Sequence, residues 1–97
     1  MIYCFDLDGT LCSNTNGEYE KATPFFDRIK KVNDLYNNNI IIIDSARGST
    51  TGINWNQITE SQLLNWGIKH HILRTGIKFN ADYFIDDKAI SDKNFFD

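Results

Sequence analysis

The sequence predicts one small α/β domain built on a mostly parallel sheet, and three observations carry that prediction. Short apolar runs at Ile2–Phe5 and Ile40–Ile43, the second unbroken and β-branched, are what buried parallel strands require. Between them Phe26, Ile29, Val32 and Tyr36, with Phe25 and Leu35 beside them, recur at helical spacing. Strand runs alternating with helical stripes give βαβ units, and a chain of 97 residues, spanning 1–97, has room for a single domain.

Each element has its own local signal. Residues 9–22 are polar, with Asn14, Asn16 and Gly17, and read as a loop or small flap. Thr23 before Pro24 predicts a helix start, a hydroxyl cap followed by proline at the first helical position. Asn37, Asn38 and Asn39 are expected to end that helix, because asparagine tolerates left-handed backbone. Residues 49–58 read as a loop carrying Trp55. Thr59 and Gln62 have the spacing of a capping box for a short helix bearing Leu63, Leu64 and Trp66, which Gly67 ends. His71–Leu73 is expected to be a third strand, Asp82–Ile85 a fourth, and residues 89–96 a final helix. This order implies a three-layer arrangement with helices on both faces of the sheet.

Composition narrows the function classes. A formal net charge of −3 argues against nucleic acid held on a basic surface. No apolar run is long enough to span a membrane, and the N-terminus enters a strand without a signal-peptide pattern, so a cytoplasmic protein is expected. Cys4 and Cys12 lack a metal-ligand spacing and read as small apolar fillers in a reducing compartment.

The chemistry is concentrated at strand ends. Asp6-Leu7-Asp8-Gly9-Thr10 follows the first strand directly. Alternate strand residues point to opposite faces, so Asp6 and Asp8 can meet only where the backbone turns, and Gly9 supplies that turn. Two carboxylates held together stay ionised only beside a cation or other donors, and a hard divalent metal is the expected guest. Ser45 follows the second strand within Asp44-Ser45-Ala46-Arg47-Gly48, Lys78 precedes the last strand, and Asp86-Asp87 follows it. In parallel α/β sheets ligands bind outside the carboxyl ends of the strands, where these groups are expected to sit.

In this order the four pieces resemble the haloacid dehalogenase superfamily of phosphohydrolases, across nearly the whole chain. Tyr19-Glu20-Lys21-Ala22, Ser45-Ala46-Arg47-Gly48, Gln62-Leu63, Trp66-Gly67 and Tyr83-Phe84-Ile85-Asp86-Asp87-Lys88-Ala89 are similar to its small phosphatases of capsule or polysaccharide biosynthesis. The resemblance implies a three-layer, Rossmann-like core without a cap domain and a magnesium-dependent phosphomonoesterase acting on a sugar phosphate or related metabolite. It implies that Asp6 is the nucleophile forming an aspartyl-phosphate, and that Asp8 is the general acid and then the base. Ser45 would hold phosphoryl oxygens, with Gly9, Thr10, Ala46 and Arg47 against the substrate, and Lys78 would offset the charge of Asp6 and phosphate. Asp86 and Asp87 would hold Mg²⁺ together with Asp6 and the Asp8 backbone carbonyl. Relatives often carry threonine where Ser45 stands and Gly-Lys-Pro around the lysine, here Gly76-Ile77-Lys78-Phe79, which makes Lys69 a rival. Exposed sheet edges in so small a domain favour a homo-oligomer. A monomer by light scattering over the working concentration range would contradict that.

Plainer readings stand beside these. Asp6 and Asp8 could be a solvated turn, Ser45 a helix cap, Lys78 a surface lysine, and Asp86-Asp87 acids opening the last helix. Asp44 is expected to pair with Arg47 or solvent, His70 and His71 to be structural or exposed, and Trp55, Trp66 and the phenylalanines to be core or interface, Trp55 having the best claim among them to substrate contact. Among other functions, a nucleotide or nucleic-acid-end phosphatase is the alternative within the enzyme class. A non-catalytic phosphoacceptor or binding module is the alternative outside it, although phosphoacceptor domains carry their aspartate in mid-chain and do not need Asp8.

Overall fold

The computed structural model describes residues 1–97. Its elements are β1 (Ile2–Phe5), α1 (Phe26–Tyr36), β2 (Ile40–Asp44), α2 (Asn56–Asn65), β3 (Ile72–Arg74) and α3 (Asp92–Phe96), with a 3₁₀ turn at Tyr19–Lys21. The three strands form one parallel sheet in the order β1-β2-β3, with Cys4 level with Ile42 and Ile42 level with Ile72.

Both crossovers step the same way across the sheet, and right-handed connections then put both helices on one face. The burial agrees. Ile29 and Val32 of α1 and Leu63 of α2 share one core with Phe5, Ile41 and Ile43. Phe95 of α3 packs on the same side, its ring 5.6 Å from Phe5 and 6.0 Å from Tyr3. The alternate residues face the other way, and Ile2, Ile40 and Ile72 are 66%, 43% and 50% exposed. The α/β class is therefore as expected, whereas the helices form one layer and not two.

The missing layer follows from a missing strand. Asp82–Ile85 is not a strand, no backbone–backbone hydrogen bond involves residues 75–90, and Tyr83 and Ile85 are 85% and 98% exposed. The Asp86 carboxylate accepts the Lys88 N–H at 3.0 Å, a local turn that competes with strand pairing.

Helix ends also differ in detail. Thr23 does not cap α1; its N–H donates to Ser13 Oγ and its carbonyl accepts the Ser13 N–H, tying the ends of the polar loop together. The helix consequently starts at Phe26. None of Asn37–Asn39 is left-handed; Asn39 instead donates its side-chain amide to the Leu35 carbonyl at 2.9 Å. Gly67 ends α2 as expected. With φ at +72° it donates to the Leu64 carbonyl while Ile68 donates to the Leu63 carbonyl, a Schellman closure.

Candidate active site

The turn after β1 is built from backbone geometry that side-chain-bearing residues resist. Gly9 sits at φ +86° and donates to the Cys12 carbonyl, while Thr10 and Leu11 both donate to the Leu7 carbonyl. Leu7 and Leu11 are fully buried beneath this turn, which anchors it and leaves Asp6 and Asp8 on the outside.

Each acid has its own cation. Lys78 Nζ lies 3.1 Å from Asp6 Oδ1, and the Thr10 hydroxyl donates to Asp6 Oδ2 at 3.2 Å. The lysine at Asp6 is thus Lys78; Lys69 joins the helical side of the molecule, its N–H donating to Asn33. Arg47 holds Asp8 by both oxygens, Nε to Oδ2 at 2.9 Å and Nη2 to Oδ1 at 2.8 Å. A cleft of about 1000 Å³ opens over Asp6 and Asp8, with Lys78, Thr10, Tyr19 and Trp55 among its walls. Trp55 meets Tyr19 edge to face at 4.9 Å, which places an aromatic corner above the acids. Gly48 makes that loop possible, since a Cβ there would stand 2.2 Å from the Ile53 carbonyl oxygen.

Other expected site residues are placed differently. Ser45 is 1% exposed, accepts the Arg47 N–H on its hydroxyl at 3.1 Å and does not line the cleft. Ala46 and Arg47 both border it, but Arg47 is buried and its guanidinium is engaged with protein groups. Asp86 and Asp87 are exposed and do not line the cleft, although Phe84 and Lys88 beside them do, and the Lys88 N–H, followed by the Asp87 side chain, holds the Asp86 carboxyl below its usual range. Asp44 pairs with Arg74, not Arg47, through two bonds of 2.8 and 2.6 Å. His71 is structural: Nδ1 accepts the Ile41 N–H, and its ring stacks on Tyr36.

No group of three or more His, Cys, Asp or Glu side chains is gathered, and the carboxylate oxygens of Asp6 and Asp8 already accept from Lys78, Thr10 and Arg47.

The fold has a solved counterpart. The chain superposes on the crystal structure of a structural-genomics target from Vibrio cholerae with a TM-score of 0.86 and 24% identity, covering 98% of this chain and 86% of that one. At that identity the likeness shows the fold alone. No family model and no curated protein matches the chain.

Three functional candidates were not visible as such in the sequence. Thr59 and Gln62, read as a capping box, are buried in the middle of α2 and bind Arg47, while Tyr19 covers the guanidinium with its ring. The available signal was their position beside Leu63, since polar residues on a buried helix face need a buried partner. Cys12 lies beside the same cluster. Burial and then the Asp8 charge push its thiol up to about 12, which makes it a poor nucleophile.

Proposed function

We propose that the chain is a phosphomonoesterase of the haloacid dehalogenase type, acting on a sugar phosphate or a related small metabolite. One observation carries the reading: two carboxylates two residues apart at the carboxyl end of β1, each matched to a separate cation and both facing one cleft. The Rossmann-like core and the magnesium cofactor that the resemblance implies belong to this proposal. Magnesium, when bound, would offset phosphoryl charge. Two free thiols and the lack of any helix long and apolar enough to cross a membrane accord with a cytoplasmic setting.

The chain's own groups account for the bond changes. Asp6 attacks phosphorus through one carboxylate oxygen, the ester P–O bond breaks, and the leaving oxygen takes a proton from the Asp8 carboxyl to depart as an alcohol. Water then attacks the aspartyl-phosphate, gives its proton to Asp8, and the bond from phosphorus to Asp6 breaks to release inorganic phosphate. Lys78, 3.1 Å from Asp6, offsets the charge that the phosphoryl group brings beside a carboxylate. The aromatic corner of Tyr19 and Trp55 gives an apolar wall to the leaving group.

The test is phosphate release from sugar phosphates, nucleotides and an aryl phosphate, each with Mg²⁺ or with EDTA. Release is expected with Mg²⁺, strongest for a sugar phosphate, and Asp6→Asn should lower it by about 10³-fold or more, as for loss of a nucleophile. A folded protein that releases phosphate from no ester would sink this reading in favour of a binding role.

A further inference from the structure

Arg47 is the most completely enclosed charge in the molecule, and its contacts give it a task. Its side chain has no exposed surface, while that of Asp8 keeps 18%. Nε and Nη2 form a fork on Asp8, and Nη1 donates to Thr59 Oγ1 at 3.1 Å and to Gln62 Oε1 at 2.5 Å. The Tyr19 ring lies 4.6 Å from the guanidinium carbon. The partners are themselves fixed: the Thr59 hydroxyl donates to the Trp55 carbonyl, and the Gln62 amide donates to the Tyr19 carbonyl at 2.6 Å. Arg47 is thus gripped by α2 and the polar loop, and it grips Asp8 from the protein side.

Stability alone is a weak reason for such a pair. Burying an arginine–carboxylate pair costs desolvation that its attraction often fails to offset, so apolar replacements can be neutral or better. A bidentate fork does something an apolar contact cannot: it fixes the plane and direction of the carboxyl group. The two oxygens are also distinguished. Oδ1 accepts from both Nη2 and the Cys12 thiol, whereas Oδ2 accepts from Nε alone and retains a lone pair.

We infer that Arg47 is a positioning residue, which holds Asp8 so that Oδ2 carries the proton to the leaving oxygen. The inference rests on the phosphomonoesterase reading and adds to it a division of labour between the two carboxylate oxygens. Thr59 and Gln62 act one step further back, by fixing the guanidinium.

Leaving groups separate this role from a merely structural one. An alkyl ester such as a hexose phosphate needs its leaving oxygen protonated, whereas 4-nitrophenyl phosphate does not. The quantity to compare is kcat/KM, which reports events through cleavage of the ester bond. Arg47→Lys keeps the charge and loses the fork, and is expected to lower kcat/KM by about 10- to 100-fold on the hexose phosphate but within about threefold on the aryl ester. In an Asp8→Asn background the same substitution should cause no further loss on the hexose phosphate. Should Arg47→Lys fail to fold by circular dichroism, Gln62→Leu loosens Nη1 while leaving Arg47 in place, and a smaller split in the same direction is expected. Equal losses on both esters in a folded variant, or additive losses with Asp8→Asn, would overturn the inference. If the wild-type chain hydrolyses neither ester, the phosphatase reading itself fails, and the role of Arg47 falls with it.

Discussion

Cys12 and Cys4 show how little a residue's type says without its surroundings. Both are free thiols, but Cys12 is fully buried against Asp8 and Arg47, while Cys4 lies on the uncovered face of the sheet. Burial and then the Asp44 charge also raise the Cys4 thiol, so its reaction should be slow at neutral pH. A thiol-specific disulfide reagent on the native protein is expected to titrate Cys4 slowly and to reach Cys12 only after denaturation. Rapid modification of both would show that the cluster around Asp8 opens readily. At this scale the sequence was most informative about Asp6 and Asp8, whose meeting follows from the turn at Gly9. It was least informative about Arg47. Nothing local distinguishes an arginine bound for a substrate from one that will be enclosed by a helix 12 to 15 residues further on, at Thr59 and Gln62.

Among the elements, α3 depends most on tertiary contacts. It spans only Asp92–Phe96, too short to persist alone, and Ser91 caps it by accepting the Asn94 N–H. Two features dock it: Phe95 and Phe96 against Phe5, and the Arg28–Asp92 ion pair at 2.7 Å. The hydrogen bond from Arg28 holds the Asp92 carboxyl below its usual range. A depressed folded-state value means that the stabilisation is fully present above the unfolded value near pH 4 and is lost as pH falls through the folded one. Asp92→Asn should therefore lower stability at neutral pH by less than about 1 kcal/mol, as for a partly exposed pair, and should remove part of the acid-side fall. Melting temperatures of both proteins from pH 2 to 7 measure this. Parallel curves would mean that the pair contributes nothing to the acid response. β1, α1 and β2 were legible because each buries apolar residues at the spacing of its element. The starts of α1 and α2 were misplaced because Thr23, Thr59 and Gln62 bind distant groups in preference to the nearest helix terminus.

For the whole molecule, the asymmetry of the sheet decides where stability lies. Ile41 and Ile43 are sealed under the helices, while their neighbours Ile40 and Ile72 face outward. Ile41→Ala is expected to cost about 2–5 kcal/mol in denaturant unfolding, the range for a sealed core position, and Ile72→Ala about 1 kcal/mol or less. Similar costs at the two sites would mean that something covers the outer face in solution. A second copy of the chain is the occupant expected from the exposed sheet. The sequence by itself determined the α/β class, the three parallel strands and the acidic turn after the first, because each rests on a local pattern or on a glycine that the backbone requires. Only the tertiary structure decided the single helical layer, the irregular path from Thr75 to Ile90 and the pairing of each acid with its own cation. Those outcomes depend on which distant groups meet, and the free energy of a buried charge is set by its neighbours in space, not by its neighbours in the chain.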